Sequence, residues 1–346
     1  MASLARPTLA DAIKVRRLGS HTYQASLDPT FCIGNVPNGG YSSSCLLSAA
    51  RLHLASRSQG DTVNVHCEFL ARTKPGLAII TIEDVKIGKQ FSTLHITLWQ
   101  GEGILDRSPW MTPTITKRCI LAYAFQSNFD SVSGLTLGTG YEEIDAGTRA
   151  ETPNFESLLD RKGDATWVET PLPPGQADVI LCGHNWRMYF PRSGPLSPGV
   201  MDMWMCTASG ELVTQDLMPY IVDTFPPDVH MWVLDSATRA MLLDSATTKT
   251  RRGNSVADEE LKKRGSDRGN VWIATAVLDL ENKRPLPAEG IRWLNMRTTT
   301  TSIVNGVCDL QTIIRNEDGE ILAVSHQVSL ILTMDRNKGA APKPSL

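Results

Sequence analysis

Residues 33–54 read IGNVPNGGYSSSCLLSAARLHL. A Pro-Asn-Gly-Gly turn leads into small polar and thiol side chains, then into an Ala- and Leu-rich run. A helix that opens on Gly39 and Gly40 with little bulk on its first turn has two readings. One is a phosphate cradle, which requires a Lys-Ser/Thr after the glycines; none follows here. The other is a helix closely wrapped by other backbone. In that reading Ser42, Ser43, Ser44 and Cys45 are small because a curved sheet lies against them, and the glycines permit a sharp entry and close approach.

The flanking sequence supplies such a sheet. "VNVHCEFLA" places Val63, Val65, Cys67 and Phe69 on one face, and "FSTLHITLW" alternates through Leu94, Ile96 and Leu98. "VWIATAVLDL", "IRWLNMRTTTTS", "VCDLQTIIR" and "ILAVSHQVSLILT" form a comparable β-rich series in the second half. The two series share a pattern. Each runs through an Arg (Arg72, Arg284), a Pro/Gly turn, a strand, a glycine (Gly88, Gly306), another strand and a Gly-Glu turn before Leu105 or Leu322. A repeated order of this kind indicates duplicated units. A helical segment precedes each series, the second being "TQDLMPYIVDTF" with Leu217, Ile221 and Thr224 on one face. The expected architecture is α+β, two helix-in-antiparallel-sheet units. Residues 1–115 form the first unit, 116–195 a loop-rich, proline-rich connection, and 196–346 the second unit with a charged insertion at about 245–270.

Composition bounds the function. The chain has 346 residues, 41% hydrophobic and 21% charged, with a net charge of −3, which is globular and lacks the basic footprint of a nucleic-acid binder. The seven cysteines are scattered without a CxxC, so neither a disulfide framework nor a zinc knuckle is expected. No run reaches the ~18–20 apolar residues of a membrane span. The first residues lack a secretory apolar core and the last read PKPSL rather than Ser-Lys-Leu, so a cytoplasmic rather than peroxisomal location is expected.

"NVPNGGYSSSCLLSAA", "EFLARTKPG", "VKIGKQFSTLHITLWQ", "RPLPAEGIRWL" and "GEILAVSHQVSLIL" resemble the acyl-CoA thioesterase II-like, double-hotdog superfamily, in particular its fungal thioesterase-like branch. The resemblance covers roughly 20–110 and 195–337 and implies a double hotdog. It also implies a polar trio: Asp223 in "LMPYIVDTF", Thr275 in "VWIATAVLD" and Gln327 in "LAVSHQVSL". Hydrolysis of a thioester needs a positioned water, a base and donors for the oxyanion. Asp223 is the only carboxylate in "YIVDTF", Thr275 and Gln327 hold water without adding charge, and the N–H groups after Gly40 are available to a carbonyl oxygen.

Gly39, Gly40, Tyr41, Met203 and Trp204 are the expected substrate-binding residues, with Met231 and Trp232 continuing the Met/aromatic stripe. His326 lies on the strand face opposite Gln327 and reads as a core or interface histidine. His184 and His230 lack metal-ligand spacing, so neither a metal nor a cofactor is expected. Val307 stands where the fungal branch usually has an Arg. That departure and the Met/aromatic stripe keep open a non-hydrolytic natural-product enzyme (a cyclase, pericyclase or dehydratase folding a polyene, polyketide or terpenoid), and a binding module with a vestigial site is the non-enzymatic alternative. The expected partner is a small acyl or polyketide/terpenoid molecule, with neither nucleic acid nor membrane. A monomer is compatible with two units in one chain, and a homo-oligomer stays open.

Overall fold

The computed structural model describes residues 6–106, 109–112, 114–172, 177–197, 199–224 and 271–333. The first half comprises α1 (Leu9–Ala12), β1 (Val15–Arg17), β2 (Thr22–Leu27), the small hairpin β3 (Cys32–Ile33) and β4 (Val36–Pro37), α2 (Gly39–His53), β5 (Asp61–Phe69), β6 (Gly76–Ile87), β7 (Ser92–Gln100) and β8 (Lys117–Ser127). The connection carries α3 (Tyr141–Ala146), α4 (Phe155–Arg161), β9 (Trp167–Glu169) and β10 (Trp186–Pro191). The second half contains β11 (Val200–Thr207), α5 (Met218–Val222), β12 (Val271–Asn282), β13 (Leu294–Thr299), β14 (Ile303–Val304), β15 (Val307–Arg315) and β16 (Ile321–Thr333). The charged insertion, His230, Met231 and Trp232 lie outside the described residues.

The duplication is visible in the strand order. One 14-stranded antiparallel sheet runs β1-β2-β6-β7-β8-β5-β12-β16-β15-β13-β11-β10-β9, with β14 pairing β15 off this path. Around the seam, β2-β6-β7-β8-β5 mirrors β11-β13-β15-β16-β12, and α2 and α5 occupy corresponding places before β5 and β12. The halves join edge to edge where Val65, Cys67 and Glu68 of β5 pair with Leu280, Leu278 and Val277 of β12. Pairing the two open edges within one chain removes the exposed strand edge that each unit would otherwise present. The result is the double hotdog expected from the sequence.

Inward residues build the core as the alternation requires. Leu94, Ile96 and Leu98 of β7 are fully buried, as are Val65 and Cys67 of β5, each large aliphatic side chain contributing ~1.5–3 kcal/mol through removal from water. The alternation expected of β5 breaks at Val63. A bulge between Thr62 and Asn64 turns Thr62 inward, where its hydroxyl accepts from Gln126 at 2.8 Å.

The 116–195 connection, rich in loops, also carries strands of the sheet. It begins with β8, a full interior strand between β7 and β5, and ends with β9 and β10 extending the second sheet. Leu105 therefore does not open a strand as Leu322 does. Residues 101–116 intervene before β8. α3 and α4 cover the outer face of the second sheet. There Trp204 packs with Leu158, Trp167, Tyr189 and Trp293, and Asp145 of α3 meets Arg297 and Arg315 of the sheet. α5 is buried along its whole length rather than on one face. His326 is exposed on the outer face and is no core residue. All seven cysteines are buried and free. Among the described residues no helix is long and apolar enough to cross a membrane.

The tight packing at the start of α2 has a cause other than the one expected. The sheet does surround the helix, but at Gly40 the close neighbour is α5. A methyl group there would collide with the Pro219 carbonyl and lie 2.5 Å from Cβ of Asp223. Gly40→Ala should therefore cost ~3 kcal/mol or more, because backbone rather than a pliable side chain must yield. Gly138→Ala, with open space at its Cβ, should change stability by less than ~1 kcal/mol. Urea unfolding of both variants measures the contrast, and equal small effects would contradict the packing.

Candidate active site

Asp223 is the C-cap of α5 and is buried. Its carboxylate faces the first turn of α2, in the other half of the molecule. The Gly40 amide donates to Oδ2 at 2.8 Å and the Thr275 hydroxyl to Oδ1 at 2.8 Å. The glycine is what lets the donor come so close. Thr275 comes from β12 at a register shift between Thr275 and Val277, and such an irregularity re-aims a side chain out of simple alternation. Asn38 ties the two helices further: its Oδ1 caps α2 through the Tyr41 amide at 2.8 Å, and its Nδ2 donates to the Asp223 carbonyl at 3.3 Å. A carboxylate at a helix C-terminus is ordinarily disfavoured, but here the positive end of the 15-residue α2 opposes it.

Two influences set the proton affinity of Asp223. Burial raises its pKa from the ordinary 3.8 to about 6, and hydrogen bonds from Gly40 and Thr275 hold it back from rising further. The group therefore changes charge near neutrality, the range in which a carboxylate works well as a general base.

Beside this carboxylate lies a cavity of about 390 Å³. Gly39, Asn38, Asp223, Thr224 and Thr275 supply its polar wall, and Phe69, Trp272, Ile180, Met188 and Leu330 much of its apolar wall. Segments from both halves and from the connection enclose it. The connection docks on the β3–β4 hairpin through a bond from the Gly34 amide to the Val179 carbonyl at 2.7 Å. Exposed Arg72 also lines the cavity, its guanidinium 5.4 Å from the Trp272 ring centroid. Cys182 is in the wall, but burial pushes its thiol up to about 12, which leaves it a poor nucleophile.

The expected residues divide into those at the cavity and those behind it. Asp223 and Thr275 touch each other and, with Gly39, line the cavity. Gln327 stands behind them. It is fully buried, its Nε2 donates to the Val222 carbonyl at 2.9 Å, and its Oε1 has no protein partner among the described residues. Gly40 does not line the cavity, and its amide is spent on Asp223 rather than left for a substrate carbonyl.

Tyr41 is a structural residue, stacked on Phe31 with its hydroxyl bonded to the Ala12 carbonyl at 2.9 Å. Successive residues of β11 face opposite sides, so Met203 points into the core and Trp204 to the outer layer, and neither lines the cavity. Asn38, Arg72, Ile180 and Met188 were not legible as site residues. Asn38 sat inside the quoted turn, and its position before the glycines was an available signal.

The raised pKa couples the site to stability. The native state binds the Asp223 proton more tightly than the unfolded chain does, so this contribution is fully present below the unfolded value near 3.8. It is lost as pH rises through about 6. The loss amounts to ~3 kcal/mol at 1.36 kcal/mol per unit. Relative to wild type, Asp223→Asn should gain about that much stability between ~pH 4 and ~pH 7. Denaturant unfolding across that range measures the difference, and a pH-independent gap would contradict it.

Comparisons with known proteins give the family and the fold. Residues 27–124 match the acyl-CoA thioesterase N-terminal domain and residues 160–331 the acyl-CoA thioesterase C-terminal domain. The chain is 43% identical over 330 residues to the thioesterase-like protein TwmA of Talaromyces wortmannii, covering 95% of this chain and 93% of that protein. Two solved structures share the fold. One is a conserved protein of unknown function with a hot dog fold from Alicyclobacillus acidocaldarius, with a TM-score of 0.63, 13% identity and coverage of 94% and 98%. Another is the acyl-CoA thioesterase II TesB2 of Mycobacterium marinum, with a TM-score of 0.53, 15% identity and coverage of 98% and 100%.

Proposed function

The chain belongs to the acyl-CoA thioesterase family, and on that premise we infer that it hydrolyses an acyl thioester with Asp223 as the general base. The observation that carries this reading is a buried carboxylate, held by the Gly40 amide and the Thr275 hydroxyl at the wall of an apolar cavity, whose pKa burial raises to about 6. In the reaction, Asp223 takes a proton from a water whose oxygen bonds to the thioester carbon. The C–S bond then breaks, the thiolate leaves, and the proton held on Asp223 goes to the thiolate or to solvent.

Thr275 holds the carboxylate in place. Gln327 acts one step away, fixing the Val222 carbonyl that precedes Asp223, while its free Oε1 suits a buried water. The N-terminus of α2, with Gly39 in the cavity wall, directs positive potential at the carbonyl oxygen as it gains charge. The apolar wall suits the acyl chain. Arg72, exposed and stacked beside Trp272, suits the phosphate of a CoA or carrier-bound pantetheine arm.

Thiol release from a series of acyl-CoA esters tests the reaction. Wild type should release free CoA, with kcat/KM rising on a single ionisation near about 6. Asp223→Asn keeps the shape, removes the base and should lower kcat by ~10²–10⁴-fold. Wild-type turnover by the Asn variant would overturn the mechanism. Conversion of a polyene substrate without thiol release would place the chemistry in the non-hydrolytic class instead.

A further inference from the structure

Far from the cavity, three elements of the first half bring two imidazoles to one carboxylate. His53 is the last residue of α2, Asp84 lies on β6 beside a register shift, and His21 sits in the turn between β1 and β2. His53 Nε2 is 2.7 Å from Asp84 Oδ1, and His21 Nε2 is 3.5 Å from Asp84 Oδ2. The ring centroids are 4.9 Å apart, and one ligand atom from each residue falls within 4.8 Å of the others. Because 32 residues separate His21 from His53 and 31 separate His53 from Asp84, no local spacing announces the cluster.

We propose that His21, His53 and Asp84 form a binding site for a divalent first-row transition ion of the zinc class. Two neutral imidazole nitrogens and one carboxylate oxygen are a donor set that zinc accepts, with solvent in the remaining position.

The surroundings support the assignment beyond the cluster itself. Zinc-bound histidines characteristically use the other ring nitrogen in an outer hydrogen bond that fixes the ring, and both rings have that partner here. His53 Nδ1 is 3.0 Å from the Tyr23 hydroxyl and His21 Nδ1 is 2.9 Å from the Ser20 hydroxyl, so both Nε2 atoms are left facing Asp84. The Tyr23 hydroxyl accepts from Arg17 at 3.1 Å and has the Ser20 carbonyl at 3.5 Å. Without an ion, His53 Nε2–H donates to the Asp84 carboxylate at 2.7 Å; an ion would displace that proton, and the Tyr23 hydroxyl can then accept from Nδ1–H while donating to Ser20.

The side chains are accessible in the needed order. His53 is 8% exposed and forms a fixed base, Asp84 is 36% exposed, and His21 is 49% exposed and free to close. A modest adjustment is required, because ligand atoms around an ion with ~2.0 Å bonds are roughly 3.3 Å apart: the 2.7 Å His53–Asp84 contact must widen while His21 swings in to complete the set. The C-terminal end of α2 also favours a nearby cation. An ion here would staple the end of α2 to β6 and the β1–β2 turn. It would sit roughly 20 Å along α2 from Gly40, at ~1.5 Å per residue, and so outside the thioester chemistry.

The test is titration of tag-free protein with Zn²⁺ by calorimetry and with Co²⁺ by visible absorption, alongside thermal melts. Wild type should bind one equivalent, develop the cobalt ligand-field bands and melt at higher temperature with Zn²⁺. Outer-shell partners alone are worth ~10–100-fold in affinity, so His21→Ala and Asp84→Asn should each weaken binding by at least ~10-fold and remove the thermal shift. Tyr23→Phe, which fills the same buried space, should weaken it by ~10-fold. His21 is half-exposed, so loss of fold will not mask the result for that variant. Absence of one-equivalent binding, or affinity unchanged in His21→Ala, would overturn the proposal and leave the cluster as an ion-paired surface network.

Discussion

The contact on which the site depends is the hydrogen bond from the Gly40 amide to the Asp223 carboxylate, 2.8 Å long and buried. It joins the N-terminus of the first unit's helix to the C-cap of the second unit's helix, and it exists only because Gly40 has no side chain to hold the backbones apart. Burial alone would drive the carboxylate toward the neutral form. The amide, the Thr275 hydroxyl and the end of α2 return enough stabilisation to keep it titrating near neutrality. The proposed chemistry thus follows from a packing decision between two helices.

The continuous sheet makes that decision possible. Pairing of β5 with β12 fixes the halves at the seam, which sets α2 and α5 side by side on the concave face. The cavity then forms where the start of α2, the end of β5, the start of β12 and the connection converge. The polar groups gather at one wall because they belong to helix ends and a strand irregularity, the places where backbone groups are unpaired or side chains are redirected. The remaining wall comes from strand and loop residues free to be apolar.

The expected architecture rested on residues whose pattern reports their own environment. Leu94, Ile96 and Leu98 alternate because one face is buried, and the Gly-Glu turns mark the same place in both copies. β8 escaped notice for a physical reason. Its inward positions include Ala122 and Ala124, kept small in the packed interior, while Tyr123 and Phe125 point outward and stack on His95 and Phe91. Its hydrophobicity is inverted relative to an ordinary half-buried strand. Met203 and Trp204 misled in the opposite way, since adjacent bulky residues on a strand covered on both faces enter two different cores. Asp223, Thr275 and Gln327 were legible through family resemblance, whereas the partnership of Asp223 with Gly40 spans 183 residues and leaves no local pattern.

A direct measurement of the Asp223 proton tests the central claim. Infrared difference spectra of wild type against Asp223→Asn, titrated over about pH 4 to 8, isolate the carbonyl band of the protonated acid at this position. The account predicts that the band disappears with a midpoint at about 6. A carboxyl already ionised near the ordinary 3.8 would mean that it is not held in the buried contact between the two helices.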